Sequence, residues 1–286
     1  MTTHAIHRRD DGTIELTVTV PWADVAKVYE TVVENAVKNV EIPGFRKGKA
    51  PKAMVEEKLD QSKVYEDVIR KLLPEVYNQI VTKEKLKPII SPKVELKEAK
   101  EKSDWILVMY TCEKPAIKLG NYKKALSDNK AAAHKKIWVP GSEEPKEGEK
   151  KDEKPRIDDI LSWVANEITV TISSLLLEQE VNRLLSGLID QTKKLGLSVE
   201  QYLSATGKNA DGIRHEYEDQ AKKTITLEFG LEEIANKEGI IISDDDIDTV
   251  IKTAKSEEEK KSLENERYYI ASVLRRQKTI DFLANV

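Results

Sequence analysis

The chain has 286 residues, of which 34% are charged and 39% hydrophobic, with a net charge of -4. That length holds two modest domains or one large one, and so lean an apolar fraction favours narrow stripes on charged helices over one thick core. The charge balance excludes a wholly basic nucleic-acid binder, and the single Cys112 excludes an internal disulfide. The lone cysteine suits a reducing compartment, and no run nears the roughly 20 apolar residues of a membrane span. The polar start, Met1 to Asp10, carries no apolar leader. A soluble, cytoplasmic protein with no membrane partner is expected.

Thr13 to Val20 alternates strictly, with Ile14, Leu16, Val18 and Val20 on one face, which predicts a half-buried strand ended by Pro21. Val25, Val28, Tyr29, Val32, Ala36 and Val40 follow at helical spacing, and the helix ends near Glu41. A second helical pattern starts at Pro51 and runs through Val55, Tyr65, Val68, Leu72 and Ile80, with Pro74 expected to kink or divide it. Two strand-like runs, 93–97 and 105–112, complete an α+β domain over residues 1–115, an antiparallel sheet with two packed helices. Residues 116–156 are expected to be a linker. Its stretch from Glu143 to Arg156 holds acids, bases, two prolines and no apolar residue. Residues 157–286 read as an all-α domain with arm-like helices. Ser198 with Gln201 and Ser243 with Asp246 form capping boxes there, and Gly196 and Gly239 form helix stops. The β-branched run 168–172 reads as a break.

Between the first two helices, Glu41 to Lys52 has no hydrophobic period. It gathers Arg46, Lys47, Lys49 and Lys52 around Phe45, with Gly44 and Gly48 permitting tight turns. An aromatic tip among cations suits a negative, partly apolar surface, such as ribosomal RNA beside a ribosomal protein. The alternative is a solvated helix-helix turn with Phe45 tucked into the core.

Gly44-Phe45-Arg46-Lys47-Gly48-Lys49-Ala50-Pro51, in its strand-helix-loop-helix setting, resembles the signature loop of the trigger factor family, bacterial ribosome-bound chaperones. The likeness extends through Lys85-Leu86-Lys87-Pro88 and the run from Pro115 to Tyr122. It resumes at Ser174 to Leu185 and at Gly196 to Leu203. The resemblance implies an ATP-independent holdase for nascent and unfolded polypeptides. Its Phe45, Arg46 and Lys47 would touch the ribosome, both protein and ribosomal RNA, near the exit tunnel. Gly44, Gly48 and Lys49 complete that candidate ribosome-binding set, Lys49 by its charge alone. Members of the family usually carry an FKBP-type peptidyl-prolyl isomerase domain between the two halves. The short polar stretch found here implies a form without it, and hence no isomerase activity.

No phosphate loop, nucleophile elbow or metal-binding helix motif is present. His4, His7, His134 and His215 are scattered, with no zinc spacing. Asp244, Asp245, Asp246 and Asp248 read as acids at a helix start, since an EF-hand would need a glycine and a glutamate that are missing. No catalytic residue, metal or cofactor is therefore expected. The helical half bears more stripes than its own core needs. Leu184, Leu188, Tyr217 and Ile225 are expected to face either clients or a second copy of the chain, which would make a homodimer. A diverged prolyl isomerase and a helical adaptor for one folded partner are the competing readings.

Overall fold

The computed structural model describes residues 2–39, 45, 51, 54–55, 60–134 and 155–286. The chain divides into two compact units, residues 1–114 with 173–176, and residues 115–172 with 177–286.

In the first unit, β1 (Thr3–Arg8), β2 (Thr13–Val20), β3 (Lys93–Glu98) and β4 (Trp105–Cys112) form one antiparallel sheet in the order β1-β2-β4-β3. The alternation of β2 does what it predicts. Ile14, Leu16, Val18 and Val20 are buried and meet Trp105, Leu107 and Met109 of β4 in one core. Two helices cover that face, α1 (Trp22–Asn39) with Val25, Val32 and Val33, and α2 (Gln61–Lys83) with Val64, Val68, Leu72, Val76 and Ile80. Val55 is helical, while most of the expected first turns of α2, and the end of α1 beyond Asn39, lie outside the described residues. Pro74 neither divides nor ends α2, which runs unbroken with buried Leu72 and Val76 on either side. β1 has no counterpart in the sequence reading.

Thr13 breaks the inside-outside pattern of β2 by being buried too, at 2% exposure. Its hydroxyl lies 2.8 Å from that of Ser173, one of the four later residues that belong to this unit. Asp11 completes the contact by accepting from the Thr13 amide at 2.9 Å, the Thr13 hydroxyl at 3.0 Å and the Ser174 amide at 2.9 Å. Burial pushes the Asp11 carboxyl up, but these hydrogen bonds outweigh it and hold the group well below the usual carboxylate range. Cys112 is buried, and burial raises its thiol pKa, as suits a packing residue.

The second unit opens with β5 (Ile117–Leu119), α3 (Tyr122–His134), α4 (Ile157–Asn166) and β6 (Ile168–Val170). β5 and β6 pair antiparallel, Ile117 with Val170 and Leu119 with Ile168. The expected linker is thus corrected at its start, because residues 117–134 are structured and Tyr122 and Leu126 are core residues at 2% and 0% exposure. Likewise, the expected break at 168–172 holds a strand. Most of the linker's remainder, 135–154, lies outside the described residues. The same core takes Ile160 and Val164 from α4, Leu231 and Ile234 from the long α7 (Ala210–Lys237), and Leu283 from α10 (Arg267–Asn285). Between them run α5 (Ser174–Lys194), α6 (Val199–Thr206), α8 (Asp244–Ile251) and α9 (Glu257–Asn265). Both predicted capping boxes are made, Ser198 with Gln201 and Ser243 with Asp246. Tyr122 donates to Glu238 at 2.6 Å, and Lys130 closes the C-terminus of α10 by donating to Ala284 O at 2.8 Å.

Candidate functional site

The walls of the candidate site are α7 and α10. Asn209 caps α7 by accepting from the Gly212 amide, and the helix runs 28 residues before Gly239 turns the chain at φ +66°. The chain then crosses as Ile240-Ile241-Ile242. Arg275 on α10 pins that crossing, donating from Nε to Ile240 O at 2.9 Å and from Nη2 to Asn236 Oδ1 at 2.7 Å.

The result is an open groove of about 520 Å³. Its floor is Leu231, Ala235 and Thr279, all buried, and the Thr279 hydroxyl is turned inward onto Arg275 O at 2.7 Å. Its mouth carries Ile241 and Tyr268, which are 79% and 90% exposed. Arg276 and Glu228 face each other across it at 3.3 Å, both about half exposed. Apolar side chains left in water above an apolar floor, beside charges that keep the surface soluble, can bury an apolar side chain of another molecule. Among the described residues, no cluster of His, Cys, Asp or Glu is placed to hold a metal ion, and no helix is long and apolar enough to cross a membrane.

The residues singled out from sequence fare unevenly. Leu188 and Ile225 are buried at 6% and 3% exposure, so neither offers client surface, and Leu184 and Tyr217 are partly buried. An apolar stripe at helical spacing is spent on packing its own helix before it can face a visitor. Exposed apolar residues of the second unit include Ile189, Leu195 and Leu197 on or just after α5, and Ile241 and Tyr268 at the groove with Tyr269 and Val273 beyond it. For the groove residues, the signal in the sequence is the Ile240-Ile241-Ile242 triplet after a helix stop and the Tyr268-Tyr269 pair, since neighbours cannot all point into one core.

In the first unit, Phe45 is 41% exposed rather than tucked into the core. Gly44, Arg46, Lys47, Gly48 and Lys49 lie outside the described residues. A second hollow of about 460 Å³ lies between α1 and α2, lined by Val32, Asn35, Asn39, Lys63, Arg70 and Lys71 among others.

These features define a two-unit protein, one unit α+β and the other helical with an open apolar groove. Family profiles described as bacterial trigger factor protein and as its C-terminus match residues 2–136 and 143–285, leaving only 137–142 between them. The chain belongs to the trigger factor family. It is similar to the trigger factors of Staphylococcus aureus strains JH9 and Newman, in each case 35% identical over 108 residues. That match takes in 38% of this chain and 25% of each relative, so it spans about a quarter of the relatives' length. A solved structure of the trigger factor chaperone, described for promiscuous substrate recognition in its folding and assembly activities, superposes with a TM-score of 0.61. The superposition covers 98% of this chain and 99% of that one at 16% identity, a likeness of fold.

Proposed function

We propose that this chain is an ATP-independent chaperone of the cytoplasm that holds unfolded and nascent polypeptides and docks on the ribosome near the exit tunnel. The observation that carries the reading is the groove between α7 and α10, where Ile241 and Tyr268 stand exposed over an apolar floor. Weak, repeated apolar contacts of this kind suit many clients and need no nucleotide. The named activity of the trigger factor chaperone whose fold the chain shares supports the same reading.

The groove assignment is tested by aggregation of a chemically unfolded reporter protein, without ATP. The full chain delays it, and Ile241→Ser with Tyr268→Ser in one chain removes most of the delay while the melting temperature holds. Equal protection by the double variant refutes the groove.

Docking is assigned to Gly44, Phe45, Arg46, Lys47, Gly48 and Lys49, supported by the exposure of Phe45 and the family's loop. Phe45, Arg46 and Lys47, all changed to alanine, should abolish co-sedimentation with ribosomes, and wild-type binding should fall steeply with salt. Undiminished pelleting of the triple variant rejects docking through this loop. We further assign no prolyl isomerase activity. The two family matches nearly adjoin, and a tetrapeptide assay showing catalysis above the uncatalysed rate would overturn that assignment.

A further inference from the structure

The sheet of the first unit has two outer strands, β1 and β3, and they are built differently. β3 carries Lys93, Glu95, Lys97 and Glu98, and its pairing with β4 shifts register between Leu96 and Glu98. Charges and irregularity of this kind turn an additional strand away from a sheet edge. β1 is less protected, with no register shift and its one permanent charge, Arg8, at its end. Its six residues pair with β2 without a break, and from Thr3 to Ile6 no acid or permanent cation interrupts it.

The register fixes which backbone groups face outward. The Arg9 amide donates to Thr13 O at 2.8 Å, which makes that pair a hydrogen-bonded one. Hydrogen-bonded and non-hydrogen-bonded pairs alternate along an antiparallel ladder. Thr3, Ala5 and His7 therefore turn their backbone groups to β2, and His4, Ile6 and Arg8 turn theirs away from it. None of these three makes a backbone bond to another described residue beyond the ladder.

We propose that the outer edge of β1 takes up an extended polypeptide segment as a fifth strand of the sheet, with preference for a segment bearing acidic residues. Charge decides the occupant. His7, Arg8 and Arg9 lie along or just beyond the strand, while His4 is taken up by Glu84 at 2.9 Å with 11% of its side chain in solvent. Arg8 and Arg9 each hold one carboxylate, Glu113 and Glu15, and still keep 59% and 45% of their side-chain surface in solvent. A second copy paired across this edge would set these bases against their own twins, whereas an acidic segment meets complementary charge. The proposal rests on the reading that the chain binds unfolded polypeptide. It adds a mode that recognises an extended backbone, where the groove recognises apolar side chains.

The test is fluorescence anisotropy with the full chain and a short labelled peptide of alternating valine and threonine with glutamates. Its twin carries N-methyl groups on every second residue, which removes the amides of one edge and leaves the side chains. A third peptide replaces glutamate by lysine. The plain peptide should bind, with the N-methylated twin weaker by about tenfold or more and the lysine peptide weaker as well. Ile6→Pro, which removes an outward amide, should weaken plain-peptide binding similarly. Should that variant disturb the strand, the comparison of the two glutamate peptides on the unaltered protein is decisive by itself. Equal binding of plain and N-methylated peptides, or no binding of the plain one, overturns the proposal. Loss of binding in the Ile241→Ser, Tyr268→Ser chain but not in Ile6→Pro also overturns it, and leaves the groove reading standing. Discrimination between the peptides without any delay of reporter aggregation upholds the strand and rejects the groove.

Discussion

Gly230 lies in α7 where the helix passes β6. A methyl group added there would overlap Ile168 Cδ1 outright and meet Cγ1 at 3.1 Å and Cγ2 at 3.3 Å. Helix propensity alone says that Gly230→Ala should stabilise by about 1 kcal/mol. The contact says otherwise. The overlapping δ-methyl can leave only by turning a β-branched side chain whose Cγ1 and Cγ2 are themselves crowded, which leaves Ile168 little freedom, and overpacking of this kind costs roughly 1–3 kcal/mol. With the propensity gain offsetting part of that, a net destabilisation of about 1 kcal/mol is expected, worth about 2–4 °C in melting temperature for a unit of this size. Calorimetry of the full chain measures it. Ile168→Val removes the offending methyl at its own cost of about 1 kcal/mol. The Ile168→Val, Gly230→Ala chain should therefore be more stable than the sum of the single effects by about 1 kcal/mol. A more stable Gly230→Ala protein together with an additive cycle refutes the close approach of α7 to β6. Leu231, next in sequence, floors the groove, so loss of the reporter-aggregation delay should accompany the loss of stability.

Asp11→Ala strands the Ser174 amide and both Thr13 donors and should cost about 1–2 kcal/mol, with faster hydrogen exchange at Ser174. Unchanged exchange there would disprove the contact. Asp246 is held at about 2 by hydrogen bonds from Lys278 and Ser243. A depressed carboxyl stabilises the fold above its ordinary pKa and loses that contribution as pH falls toward the folded value. Asp246→Asn should therefore lower the melting temperature at neutral pH and narrow its gap to wild type near pH 2, and a pH-independent gap would contradict this. Tyr122→Phe removes the 2.6 Å bond to Glu238 and should cost about 1 kcal/mol in a melt. Little is expected beyond that, since Lys123 still holds the carboxylate at 2.8 Å.

Local rules made much of this fold legible. β2 shows itself by strict alternation, and α6 and α8 by their capping boxes, because both signals depend on neighbours a few residues apart, whereas α9 with its Ser256 cap went unread. β1 escaped because Thr-His-Ala-Ile-His-Arg is polar at an edge, where pairing rather than burial makes the strand. β5 and β6 escaped for a different reason. Three residues carry no periodicity, and their partner lies about fifty positions away. Of the site, the stripes were visible but not their fate. Whether Ile225 faces water or a neighbouring helix is decided by packing that no single helix records. The isoleucine triplet and the tyrosine pair mark Ile241 and Tyr268 as exposed, but that they share one groove shows only once the floor beneath them is known.

The ribbon of β5 and β6 has a consequence for what the chain can carry. It ties Ile117 to Val170, and α3 packs on α4 just inside it, so the path leaving at 134 and returning at 157 starts and ends on one stem. Lengthening a loop whose ends are already tied adds only about 0.6 kcal/mol per doubling. A whole folded module could be spliced in at that point, or cut out, with hardly any change in the stability of the helical unit. On that reasoning the stem would serve as a socket, and gaining or losing what it held would be close to neutral for the helical unit.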